Sequence, residues 1–186
     1  MQVRELRIPG ALVIEPAVHG DARGFFCETY REPQWSEHGI PSHWAQDNHS
    51  RSGKGVLRGM HFAIGEGQAK LVRCARGRIL DVVVDLRADS PTYGEWEGVE
   101  LSDENMHQLY VPIGLAHGFV VLSDVADVTY KCTTVYDPEV ERGIAYDDPE
   151  VAIEWPTDIE LLVSERDANA RLLSDLSDTL PFRYKR

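Results

Sequence analysis

The run Val72-Arg73-Cys74-Ala75-Arg76-Gly77-Arg78-Ile79-Leu80-Asp81-Val82-Val83-Val84-Asp85-Leu86 decides the fold. Apolar and β-branched residues stand on both sides of one glycine, the composition of two extended strands joined by a tight turn. The same signature repeats outward from it. Downstream, Asp89-Ser90-Pro91-Thr92 reads as a turn, residues 94–101 resume a mixed strand, and residues 108–111, 118–122 and 127–134 continue the series. Upstream, Gly24-Phe25-Phe26-Cys27-Glu28-Thr29-Tyr30 follows an Asp21-Ala22-Arg23-Gly24 turn, and residues 12–14 form an apolar run before Pro16. Many short strands with frequent turns predict an all-β sandwich or barrel. Helical signals lie only outside this series. Residues 32–38 carry Pro33 where a first helical turn accepts it, and Ser164 can cap a helix over 165–176 with Ala168, Leu172, Leu173 and Leu176 on its apolar face.

The length of 186 residues suits one domain, expected to span 1–186 with a barrel core at about 45–156 and a C-terminal helical tail at about 160–186. No internal repeat, low-complexity tract or linker divides it. Hydrophobic residues make up 42% of the chain, enough for a core, so intrinsic disorder is unexpected. Nineteen basic against 31 acidic residues leave a net charge of −12, which repels phosphate polymers and anionic lipid heads. Neither a nucleic-acid nor a membrane partner is expected. Cys27, Cys74 and Cys132 are too few and too scattered for a disulfide framework and read as buried free thiols. The opening residues Met1-Gln2-Val3-Arg4-Glu5 lack the basic-then-apolar pattern of a secretion signal, so a cytoplasmic location is expected.

Two stretches carry chemistry. Gly55-Val56-Leu57-Arg58-Gly59-Met60-His61 and Pro112-Ile113-Gly114-Leu115-Ala116-His117 resemble parts of the two motifs of cupin jelly rolls, barrels that often hold a metal by three His and one Glu. The resemblance breaks at the ligands: Ala63 stands where a second His is needed, and Gly67 and Gln68 stand where a Glu is needed. Glu66 is the one nearby acid. A jelly roll without metal is therefore expected. Strand alternation puts Arg58 and His61 on opposite faces, so a bulge at Gly59 is required to aim both inward.

Over most of its length the chain resembles the dTDP-4-dehydrorhamnose 3,5-epimerase family. The resemblance rests on Asp21-Ala22-Arg23-Gly24-Phe25-Phe26-Cys27-Glu28, Gln46-Asp47-Asn48-His49-Ser50, the segment ending in His61, and Gln68-Ala69-Lys70-Leu71-Val72. It continues through Asp89-Ser90-Pro91-Thr92-Tyr93-Gly94, residues 112–119, Tyr130-Lys131-Cys132-Thr133 and Gly143-Ile144-Ala145-Tyr146-Asp147-Asp148-Pro149. Order and spacing agree from about residue 5 to residue 167. The resemblance implies a cupin-type double-stranded β-helix with short N- and C-terminal helices. It also implies a homodimer that inverts C3 and C5 of a dTDP-linked 4-keto-6-deoxyhexose and needs no cofactor.

By the same resemblance His61 is the base, Asp167 its partner, Tyr130 the proton donor and Lys70 the cation beside the developing C4 oxyanion. Arg23, Arg58 and His117 belong to the anion and sugar contacts, and Glu28, Gln46, Asn48 and Glu141 to hydrogen-bonding positions. Tyr136 stacks on the thymine, and Arg166 falls where the family often has Lys. Arg23 and Glu28 are expected to act across the dimer interface. From the residues alone the bland readings stay open. Asp167 reads equally as a helix N-terminal carboxylate, Tyr130 and Tyr136 as strand aromatics, and Arg58, Lys70 and Arg73 as surface charges. The segment Phe62-Ala63-Ile64-Gly65-Glu66-Gly67-Gln68 departs from the family, which usually has Gln at the second position after the base and then prolines. Two alternatives to the double epimerase therefore stand: a single-centre epimerase of a deoxysugar pathway, and a nucleotide-sugar-binding cupin without turnover. A metal-dependent cupin oxygenase is a third, disfavoured by Ala63 and Gly67.

Overall fold

In the computed structural model, which describes residues 1–184, residues 72–86 become two antiparallel-sheet strands on opposite walls of a barrel. The strands in chain order are β1 (Gln2–Glu5), β2 (Leu12–Glu15), β3 (Val18–Asp21), β4 (Gly24–Cys27), β5 (Gln46–Gly53), β6 (Val56–Ala63) and β7 (Lys70–Arg76). They continue as β8 (Arg78–Asp85), β9 (Trp96–Ser102), β10 (Gln108–Val111), β11 (Leu115–Val121), β12 (Val125–Cys132), β13 (Glu141–Gly143) and β14 (Leu162–Val163). One sheet has the order β1-β2-β10-β7-β12-β5, and the other has β13-β6-β11-β8-β9 with β14 added parallel to β6. β3 and β4 form a separate hairpin closed at Ala22 and Arg23. The architecture is the expected all-β jelly roll of cupin type, and its first sheet extends to β1 and β2, ahead of residue 45.

The two faces of β8 explain the layering. Ile79 and Val83 point between the sheets, where they meet Val13, Val72, Leu109 and Val128 of the opposite wall. Val82 and Val84 point outward and are covered by Ile144, Val151, Leu173, Leu176 and Phe182 from the C-terminal segment. The outer face of the first sheet, through Leu12, Ile14, Leu71 and Tyr110, is covered by Trp35 and Ile40. Trp35 belongs to α1 (Glu32–Ser36), the short N-terminal helix expected around Pro33. Apolar packing thus fills one end of the barrel and leaves the other for polar side chains.

The C-terminal helix is much shorter than its periodicity predicts. α2 covers Glu165–Ala168, and beyond it only a single 3-10 turn at Ser177–Thr179 is helical among the described residues. The chain leaves the helix because the barrel supplies other partners. Ala145 N–H donates to the Arg171 carbonyl at 2.8 Å, and Leu173 N–H donates to the buried Asp148 carboxylate at 2.7 Å. Leu173 and Leu176 are apolar because they cover the second sheet, so their spacing imitates a helix without forming one. The N-terminal end behaves as read: Ser164 Oγ accepts the Asp167 N–H at 3.1 Å. Among the cysteines, all free, Cys74 and Cys132 are buried but Cys27 is only half-buried, which corrects the reading of three buried thiols.

Candidate active site

The bulge demanded by the strand pattern is present. Along the β6–β11 ladder His117 faces His61 and Phe119 faces Arg58, so two steps of β11 span three of β6. The extra residue turns both Arg58 and His61 into the barrel. Glycine is required on both strands at this point. A Cβ on Gly59 would stand 2.5 Å from Gly118 Cα, and one on Gly118 would stand 2.6 Å from Met60 Sδ.

The open end of the barrel encloses a cavity of about 810 Å³. His61 from β6, Lys70 from β7, His117 from β11 and Tyr130 from β12 face into it, as do Gln46, Asn48, Arg58, Tyr136, Glu141, Arg166 and Asp167. Eleven of the thirteen expected site residues therefore line one cavity. The two exceptions are Arg23 and Glu28. Arg23 is exposed on the β3–β4 hairpin and paired with Asp21, while Glu28 lies 3.6 Å from Arg31. Neither reaches the cavity of its own chain.

His61 Nε2 lies 2.7 Å from Asp167 Oδ1, with its other nitrogen, Nδ1, 4.0 Å from Glu141 Oε1. Asp167 is buried on α2, and its second oxygen accepts the Gly59 N–H at 3.3 Å. Burial opposes ionisation of this carboxyl, but its bonds to His61, Gly59 and Ser164 outweigh that cost and hold it below the usual carboxylate range. An ionised Asp167 accepts from Nε2–H, which leaves Nδ1 as the unprotonated nitrogen able to take a proton.

Lys70 is buried, with its ammonium in the cavity and no ion pair among the described residues. Burial pushes its pKa down, against the opposing pull of Cys132, Glu141 and Asp81. Its place on β7, between β10 and β12, rules out the strand-edge surface lysine. Tyr130 is half-buried, and its phenol is pushed up by burial and by Cys132 and Glu141, with Arg58 opposing. It therefore remains neutral, a form that can donate a proton. Arg58 is exposed, yet it also lines the cavity: its Nε donates to Ser52 Oγ at 3.1 Å and its terminal nitrogens are left for the cavity.

Three features escaped the sequence reading. Asp81 holds His117 by an Oδ1–Nε2 contact of 2.7 Å, both groups buried, so the cavity contains a second His–Asp pair. The available signal was an acid placed mid-strand among Ile79, Leu80, Val82 and Val83. Ser52 as the holder of Arg58, and the particular partners of the expected hydrogen-bonding Gln46, Asn48 Oδ1 at 2.8 Å and the Tyr136 N–H at 2.7 Å, carried no sequence signal of their own.

Proton-handling groups gathered round one polar cavity in this fold define a cupin-type isomerase of the epimerase class. The chain belongs to the dTDP-4-dehydrorhamnose 3,5-epimerase family, whose model matches residues 5–175. The enzyme of that name from Methanothermobacter thermautotrophicus is 50% identical over 90% of this chain and 92% of its own. The dTDP-4-dehydrorhamnose 3-epimerase of Streptomyces niveus is 46% identical over 96% of this chain and 86% of its own. Among solved structures, the 3,5-epimerase of Legionella pneumophila in complex with dTDP-4-keto-L-rhamnose superposes with a TM-score of 0.95. That match has 46% identity and covers 100% of this chain and 99% of that one.

Proposed function

We propose that this chain inverts C3 and C5 of a dTDP-linked 4-keto-6-deoxyhexose, with His61 as base. The observation that carries the reading is the 2.7 Å His61–Asp167 pair opening on the same cavity as the buried Lys70 and the neutral Tyr130. The C4 ketone acidifies the hydrogens on its neighbouring carbons. His61 Nδ1 removes one of them as a proton, and the C–H electron pair moves to form the enolate. Lys70 stabilises the charge that grows on the C4 oxygen, an interaction stronger in the transition state than in the ground state. Tyr130 then returns a proton to the opposite face, which inverts the centre.

Asp167 sets the tautomer of His61 and stabilises its charged form. Arg58, His117 and Arg166 receive the diphosphate and sugar, Gln46, Asn48 and Glu141 supply hydrogen bonds, and Tyr136 stacks on the thymine. The whole chain acts as one jelly-roll domain in the cytoplasm, as a homodimer in which Arg23 and Glu28 complete the partner's site. The exposed Phe25 and Phe26 beside them on the hairpin support that dimer.

The likeness to the 3-epimerase of Streptomyces niveus favours a second reading, inversion of C3 alone. Ala63, on the strand that carries His61, is where such a difference would arise. Incubation with a dTDP-4-keto-6-deoxyglucose in D2O, followed by NMR, separates the readings. Deuterium at both C3 and C5 is expected. Exchange at one carbon replaces the proposal with a single-centre epimerase, and exchange at neither, with dTDP still bound, replaces it with a binding cupin.

A further inference from the structure

An inversion that uses a base on one face and an acid on the other leaves the enzyme altered. After one inversion His61 carries an extra proton and Tyr130 lacks one. A second inversion on the same sugar needs the first proton removed and a new one supplied to Tyr130 before the sugar leaves.

A second cavity, of about 240 Å³, lies behind the pair. His61, Glu141, Arg166 and Asp167 line both cavities and form the wall between them. The outer side of the small cavity is bounded by Arg142 and Asn169, both exposed. Glu141 is placed to cross this wall. Its Oε1 is 4.0 Å from His61 Nδ1, the nitrogen that Asp167 leaves free, and its Oε2 is tied to Arg166 Nη1 at 3.4 Å. About 1 Å of movement brings Oε1 to hydrogen-bond distance of Nδ1, a tightening expected of catalytic contacts when a ligand binds. Asp167 is a poorer exit, because its two oxygens are already taken by His61 and the Gly59 N–H.

We infer that Glu141 is a proton relay, which takes the proton from His61 Nδ1 and passes it to water in the rear cavity, so that the base resets without release of the sugar. The proton balance is simple. Nδ1–H loses its proton to the Glu141 carboxylate, the resulting carboxylic acid loses it to water, and both groups end as they began. Solvent supplies the balancing proton to Tyr130. This inference rests on His61 being the base.

The test compares Glu141→Gln and Asn169→Trp with the unaltered protein in D2O exchange, with and without added imidazole. Loss of the relay slows steady-state exchange in Glu141→Gln by about a hundredfold, the lower end of the range of acid–base groups. Imidazole, small enough to accept the proton in place of the carboxylate, restores several-fold of that loss, whereas a residue that only positions the sugar is not rescued by buffer. Asn169→Trp, which fills the rear cavity and leaves Glu141 intact, slows exchange without changing dTDP affinity. Wild-type exchange in Glu141→Gln, or a loss that imidazole does not relieve, overturns the inference. Absence of exchange in the unaltered protein overturns instead the reading of the function on which it rests.

Discussion

Replacement of His61 by Ala removes the imidazole whose Nε2–H is held by ionised Asp167 and whose Nδ1 is the proposed base. Exchange should fall by at least about 10²–10⁴-fold, the usual worth of a positioned acid or base. The dTDP affinity, measured by calorimetry, should stay close to that of the unaltered protein, because the proposed nucleotide contacts are other residues. A parallel loss of affinity would make His61 a binding residue. Asp85 shows the same physics used for stability. Burial opposes its charge, but Arg87, Ser90 and Thr92 more than compensate and hold its pKa below 3.8. A depressed folded pKa contributes stability above the unfolded value, and that stability is lost as pH falls through the folded one. Asp85→Asn should cost about 3–5 kcal/mol at neutral pH, since it leaves the buried Arg87 without its counter-charge. Urea melts at neutral pH and below pH ~4 check this, with the gap between the proteins narrowing in acid. The residues also mark what could be read beforehand. His61 and Asp167 are 106 positions apart, and no local spacing links them; the family resemblance alone paired them. Asp81 went unread because an acid in an apolar strand gives no hint of its partner until β8 and β11 lie side by side.

At the scale of elements, the bulge in β6 was legible and the C-terminal helix was not, for related reasons. Alternation along a strand is a strict rule, so two residues needed on one face at odd spacing imply an irregularity, and Gly59 was the residue to host it. Helical periodicity is a weaker rule. Leu172, Leu173 and Leu176 have the right spacing, yet Asp148 and the Ile144–Arg171 bridge offered the backbone better partners than its own preceding turn. The bulge makes a further expectation. Gly118→Ala places a methyl group 2.8 Å from the Arg58 carbonyl and 3.0 Å from Gly59 Cα. The strands must separate at that point, with a cost of about 1–3 kcal/mol for overpacking. A thermal melt should show that modest loss, while exchange activity falls far more, because Arg58 and His61 are re-aimed together. Equal, small losses in both would show that the bulge does not set their direction.

For the whole molecule, the net charge of −12 excludes less than it first suggests. Arg58, Lys70, Arg166 and His117 gather at one cavity, so a local field that suits a diphosphate coexists with an acidic surface. The hairpin is the feature least accounted for within one chain, because Phe25 and Phe26 are 63% and 65% exposed. On the proposed dimer, replacing both with Ser should give a monomer in sedimentation and weaken dTDP binding, through loss of Arg23 and Glu28 from the neighbouring site. A dimer that persists with full affinity would place the interface elsewhere. The expectation for Arg23 and Glu28 comes from the family resemblance alone, because nothing in the local sequence of the hairpin names a partner surface.

The parallel addition of β14 to β6 has a consequence in time rather than in space. β6, which holds His61, has both antiparallel neighbours once the strands up to Gly143 are paired, but Asp167 arrives only when residues 162–168 return to lie beside it. On a chain emerging from the ribosome, Arg166 and Asp167 therefore reach the cavity last, together with Leu162 and Val163, which complete its lining. The proposed binding and the proposed turnover thus wait on one event, the docking of the final short strand.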